Sequence, residues 1–229
     1  MSRSIHSNRT SRQAAEKGYL DWLEIGKKRR VKRLVVEERQ IRPEPAHVSW
    51  EDMVSIERVD DSAFLYFPAS TEDMHCVLMN LPSAPLDGIR KIRLEAGTGF
   101  VNHEAEEEGV MDPFLGRKSR EVYPGIYAPL ILGMYTFGTN QIRLFGYAKS
   151  PETVPTKEQH DELQFQMLIT LVHELAHHFD HTERVKRGRW RADDQDKCER
   201  FALQMERTWS RAAIMPYLLK QEAEQNGLD

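Results

Sequence analysis

Residues 173–177 read His-Glu-Leu-Ala-His, inside an apolar-periodic stretch from Leu163 to Phe179 that predicts a helix. Two histidines four positions apart stand one above the other on a helix face, with about 5–6 Å between their Cβ atoms. That spacing lets both imidazoles reach one zinc ion at about 2.0–2.1 Å. Glu174 follows His173 by one residue and projects beside the same ion, where it can take a proton from a water that the metal activates. His173 and His177 are therefore candidate zinc ligands, and Glu174 is a candidate general base. The flanking residues, Met167 to Val172 and Phe179, are largely apolar. A buried helix carries two histidines and a glutamate only where they have partners, because unpaired buried polar groups are costly.

A hydrolytic zinc site wants three protein ligands and an open position for water. His181 lies four residues beyond His177, but on a straight helix it stands about 12 Å along the axis from His173, too far to share one ion with it. His178 points about 100° away from His177 and is read as a packing or solvent residue. Better candidates lie on a last helix expected from about Asp194 to Lys220, with a kink at Pro216. Its apolar stripe is Cys198, Phe201/Ala202, Met205 and Trp209, which should pack against the motif helix. Glu199 borders that stripe and is the first choice for the third ligand. Asp194 is the alternative, nearer the stripe's centre but shorter in reach, and Asp196 projects roughly opposite it.

The elements that must position these groups follow from pattern and punctuation. Thr156-Lys-Glu-Gln159 has the form of a capping box, so the motif helix should start there and run to Arg187, with Gly188 as its stop. Leu130 to Phe137 should pair with Gln141 to Tyr147 as a hairpin through Gly138-Thr-Asn140. Ala63–Phe67, Met74–Leu81 and Ile89–Leu94 read as further strands. Ser49-Trp-Glu-Asp predicts a short capped helix to about Val59. Residues 102–127 predict a long irregular segment, a length that suits a lid or binding loop. Residues 1–13 are polar, and residues 13–41 are helix-compatible up to Pro43 and Pro45. The expected organisation is a partly disordered helical extension over 1–45 and one α+β domain over 46–229. In that domain a small mixed or antiparallel sheet packs on the motif helix and a C-terminal helix.

Composition narrows the setting. The chain of 229 residues is 40% apolar and 30% charged, with a net charge of −4, which argues against nucleic-acid binding by the whole surface. No run approaches the roughly 18 apolar residues of a membrane span, and the polar start lacks a signal-peptide core. Cys76 and Cys198 match neither a disulfide framework nor a zinc-knuckle spacing. These features predict a cytoplasmic, reduced protein. The run Lys27-Lys-Arg-Arg-Val-Lys-Arg33 reads first as a solvated helix end, and otherwise as a contact for nucleic acid or an acidic partner.

His173-Glu-Leu-Ala-His177, followed by a helix carrying Glu199-Arg-Phe-Ala202, resembles the zincin metallopeptidases, and among them the small gluzincins of the ImmA/IrrE type. The resemblance covers about residues 85–220, and only the five-residue motif is specific. It implies a sheet with an edge strand before the active-site helix, corresponding to the hairpin at 130–147, and a glutamate from the next helix completing the site. In the family's register from Phe201-Ala202, Gln195 stands where that glutamate belongs. The expected activity is hydrolysis of a protein or peptide substrate, with Tyr135, Tyr147 or Tyr217 as oxyanion donor; Asp180 reads first as a capping or solvent-exposed residue, and otherwise as a partner for a ligand imidazole. The alternative is a regulatory module that keeps the zincin fold and binds partners, or a peptidase tethered to nucleic acid, through residues 27–33.

Overall fold

A computed structural model describes residues 54–97, 110–111, 113–188 and 195–225. The extension expected over residues 1–45, with its basic run, lies outside them. Among the described residues, two sheets and four α-helices make a mixed α+β arrangement. The first sheet has the order β1 (Ser55–Arg58), β3 (Lys91–Glu95), β8 (Gln141–Phe145), β7 (Gly133–Thr136). β1, β3 and β8 run parallel, whereas β7 pairs antiparallel to β8. The second sheet is antiparallel throughout, in the order β2 (Leu65–Tyr66), β9 (Tyr147–Lys149), β6 (Ile126–Pro129), β5 (Lys118–Tyr123), β4 (Val110–Met111).

Alternation decides which face of the first sheet is inside. Ile92 and Leu94 of β3, and Ile142 and Leu144 of β8, are fully buried, while the residues between them are partly exposed. Against that apolar face lie α1 (Thr71–Met79) and α2 (Lys157–Lys186), whose Met74, Val77, Leu78, Leu168, Leu171 and Leu175 join one core. α2 opens as its sequence predicts. Gln159 N–H donates to Thr156 Oγ1 at 3.3 Å, and Thr156 N–H donates to Gln159 Oε1 at 2.9 Å. It ends at Arg187, where Gly188 takes a φ of 63°, a conformation that suits a residue without Cβ.

α3 (Gln195–Trp209) packs back along α2 through Cys198, Ala202 and Trp209, all buried. Phe179 of α2 stacks on Phe201 at 6.1 Å and meets Trp209 edge-on at 5.9 Å between ring centroids. A π-helical turn, Ser210–Ile214, then leads into α4 (Met215–Gln225).

Four expectations are corrected. Residues 55–58 form a strand, not the end of a capped helix, because their backbone pairs in parallel with β3. Met74–Leu81 is not a strand but lies mostly in α1, opened by a capping box in which Asp73 N–H donates to Ser70 Oγ and Ser70 N–H to Asp73 Oδ2. The segment 102–127, expected to be irregular, contains β4, β5 and the start of β6. The irregularity of the last helix is a π-helical turn at Ser210–Ile214, just ahead of Pro216 where a kink was expected, and the helix continues through it. That proline is the second residue of α4, directly after the π-helical turn, and contributes no N–H to the helix. Among the described residues no helix is long and apolar enough to cross a membrane.

Candidate metal centre

α2 and α3 bring three predicted groups together. His173, His177 and Glu199 each offer a ligand atom, and these atoms lie within 4.8 Å of one another. His173 Nε2 and His177 Nε2 are 3.1 Å apart. Glu199 Oε1 is 3.6 Å from the first and Oε2 is 3.3 Å from the second. Four ligands at tetrahedral angles and about 2.0–2.1 Å from a zinc ion would be spaced by roughly 3.3 Å. The spacing and the donor types both fit a zinc ion. The two imidazoles are mostly buried and Glu199 is half exposed, so the cluster opens to solvent on its carboxylate side.

Charge accumulates here in a complementary way. Burial alone would pull the His173 pKa down, but hydrogen bonds to Glu199 and Glu206, with the Glu174 charge nearby, lift it to about 10. The same contacts, first to His173 and then to His177, hold the Glu199 carboxyl far below the ordinary carboxylate range. Glu174 behaves differently. It is buried, and burial raises its pKa, against the opposing pull of His177, His173 and a backbone hydrogen bond from Tyr135. A carboxylate whose proton affinity is raised by burial is suited to take up a proton.

β7 supplies that backbone hydrogen bond. Phe145 N–H donates to Leu132 C=O at 2.9 Å, so the alternation of an antiparallel pair turns the polar groups of Gly133 and Tyr135 away from β8. Tyr135 N–H is thus free to meet Glu174. The approach is close: a Cβ on Gly133 would lie 2.5 Å from Thr170 Cγ2 and 3.0 Å from Glu174 Cγ. Only glycine permits this strand so near α2.

The remaining candidates are placed elsewhere or lie outside the described residues. Asp194 is among the latter. Asp196 is exposed and does not join the cluster. His181 faces Tyr135 and Phe137, with its Nδ1 at 3.1 Å from the Tyr135 hydroxyl, as the helix geometry requires. His178, expected to pack or meet solvent, is fully buried and bonded at both nitrogens, to Tyr135 Oη at 3.1 Å and to Asp87 C=O at 2.9 Å. Asp180 pairs with Arg184 at 2.7 Å and not with a ligand imidazole. The three tyrosines named as oxyanion donors are committed too. Tyr135 bonds Asn140, His178 and His181; Tyr147 donates to Gln166 Oε1 at 3.3 Å; Tyr217 donates to Asp73 Oδ1.

One residue of the site escaped the sequence reading. Glu206 Oε2 lies 2.8 Å from His173 Nδ1. Its signal was its spacing: Glu206 is seven residues after Glu199, two helical turns along the same face. Comparison with known proteins adds no relative, since no family model, curated protein or solved structure matches the chain.

Proposed function

We propose that the chain is a zinc-dependent peptidase of zincin type, with His173, His177 and Glu199 as metal ligands and Glu174 as general base. The observation that carries this reading is the mutual spacing of 3.1, 3.3 and 3.6 Å among the three ligand groups, with a buried carboxylate next to them. When bound there, zinc supplies a Lewis acid that makes water nucleophilic near neutral pH and polarises a carbonyl. The protein's own part is to hold the ligands on two helices and to keep Glu174 ready for a proton. Tyr135 N–H orients that carboxylate, and the raised proton affinity of Glu174 matches a base that must later return the proton to a leaving amine.

The substrate class follows from the edge. Among the described residues β7 ends its sheet, and beside Glu174 the outward N–H and C=O of Gly133 and the C=O of Tyr135 run along its edge, the Tyr135 N–H being taken by Glu174. An extended peptide can add to such an edge through main-chain hydrogen bonds, which favours a protein or peptide substrate over a small ester or sugar. Cys76 and Cys198, whose spacing fits no disulfide framework, agree with a reducing, cytoplasmic setting for this activity.

Glu174→Gln tests the mechanism. The amide keeps the size and the hydrogen bond from Tyr135 but cannot accept the proton, so hydrolysis of a peptide library should fall by about 10²–10⁴-fold with zinc retained. Equal cleavage by the variant and the unmodified protein refutes Glu174 as base. Absence of cleavage by either, with zinc bound by both, refutes the peptidase reading and leaves a metal-binding module.

A further inference from the structure

We infer that Glu206 is a positioning residue for the metal centre, selecting the nitrogen that His173 turns toward the ion. The inference rests on the zinc reading above and extends it to a residue outside the ligand set. The two ring nitrogens of His173 meet two carboxylates of one helix: Nε2 faces Glu199 at 3.6 Å and Nδ1 faces Glu206 at 2.8 Å. An ionised carboxylate only accepts hydrogen bonds, so the Nδ1 contact requires a proton on that nitrogen. In the neutral ring that leaves the Nε2 lone pair free, aimed at His177 Nε2 and Glu199. Glu206 thereby fixes both tautomer and ring orientation, and its charge raises the basicity of the coordinating nitrogen.

The bland reading of Glu206 is a surface carboxylate that happens to meet a histidine. Three observations weigh against it. The Glu206 side chain is only 23% exposed, against 51% for Glu199, so it is the more enclosed of the two carboxylates. Glu199 and Glu206 lie two turns apart on the α3 face, bracketing the His173 ring. Between them Ala202 is fully buried, and its small side chain lets α3 come close enough for both contacts. α3 therefore does more than contribute one ligand. It grips His173 from both sides of the ring, which ties the docking of α3 on α2 to the geometry of the metal centre. His177 makes no comparable carboxylate contact on its other nitrogen among the described residues, so the two imidazoles are not equivalent.

The test is a zinc titration against a competing chelator on the full chain. It compares the unmodified protein with Glu206→Ala, Glu206→Gln, His173→Ala and, as a control on the exposed face of α3, Gln204→Ala. Removing an outer carboxylate partner should weaken zinc binding by about 10–100-fold in Glu206→Ala. Glu206→Gln should fall between Glu206→Ala and the unmodified protein, because its amide oxygen still accepts from Nδ1–H but carries no charge. Gln204→Ala should be unchanged. Long-range nitrogen–proton NMR of the zinc-loaded protein supplies a signature that a merely structural role would not move. The His173 Nδ1 proton should be present and slow to exchange in the unmodified protein, and in Glu206→Ala lost or markedly faster to exchange. If Glu206→Ala and Glu206→Gln bind zinc as tightly as the unmodified protein, or the His173 signature is unaltered, the inference is overturned while the metal centre stands. If the unmodified protein takes up no more zinc than His173→Ala, the metal reading itself fails and carries this inference down with it.

Discussion

α2 carries four histidines within nine residues, and they fall into two environments. His173 and His177 face α3 and meet carboxylates, so His173 is pushed up to about 10. His178 and His181 face β7 and meet the phenol of Tyr135. Burial lowers both, and in His181 the neighbouring His178 lowers it further. One helix and one residue type give opposite electrostatic outcomes, because the elements packed on the two faces differ. α3 brings acid; β7 brings a hydroxyl, and the turn before β3 brings the Asp87 carbonyl. The lesson is that a histidine-rich helix declares its chemistry only through what packs against each face.

The comparison can be broken most forcefully at the proposed third ligand. Glu199→Ala removes the carboxylate that joins both imidazoles, so zinc affinity should fall by more than the roughly 100-fold expected for an outer-sphere loss. His181→Ala should leave zinc affinity unchanged. A chelator titration in which the two variants behave alike would erase the distinction between the faces.

A smaller effect is expected where β7 meets α2. Gly133→Ala forces a Cβ against Thr170 and Glu174, so overpacking should cost about 1–3 kcal/mol in urea unfolding. Adding Thr170→Ala removes the tightest contact and should restore much of that loss. Failure of the second change to help would mean that the strand is held off α2 by something else.

On the same scale, His178→Ala takes the imidazole away from the Asp87 carbonyl and removes one of the three contacts of the Tyr135 hydroxyl, at a cost of about 1–3 kcal/mol. Zinc stoichiometry should not change. Loss of zinc with an intact fold would move His178 into the metal centre.

The subtlest test is pH. In metal-free protein the protonated His173 ring is stabilised by Glu199 and Glu206, and its folded pKa of about 10 stands above the ordinary 6.5. That contribution is fully present below about pH 6.5 and is lost as pH rises through about 10. The Tm measured in chelator should therefore decline over that interval, and His173→Ala should flatten the decline. A decline of equal size in the variant would assign it to another group.

What the sequence disclosed, and what it hid, divides along similar lines. The start and stop of α2 were legible because Thr156, Gln159 and Gly188 act locally. The hairpin of β7 and β8 was legible through its turn, where Gly138 and Asn140 both take positive φ. Met74–Leu81 misled because a short apolar run suits a buried strand or a buried helix equally, and the deciding signal was the Ser70–Asp73 box just before it. β1 was illegible for a different reason: its strand character comes from pairing with β3, more than thirty residues on. Two of the three clustered groups, and the carboxylate proposed as base, could be read from one helix. Glu199 could be ranked but not chosen, because the choice depends on how α3 lies on α2. No choice among the tyrosines was legible, since nothing local says where a hydroxyl finds its partner.

The most direct measurement is zinc content after dialysis against buffer with trace zinc. It is made on the unmodified chain, on His173→Ala and His177→Ala, and on His178→Ala and His181→Ala. The account predicts about one zinc per chain in the unmodified protein and in the second pair of variants, and essentially none in the first pair. No bound zinc in the unmodified protein, or equal loss from both pairs, would contradict it.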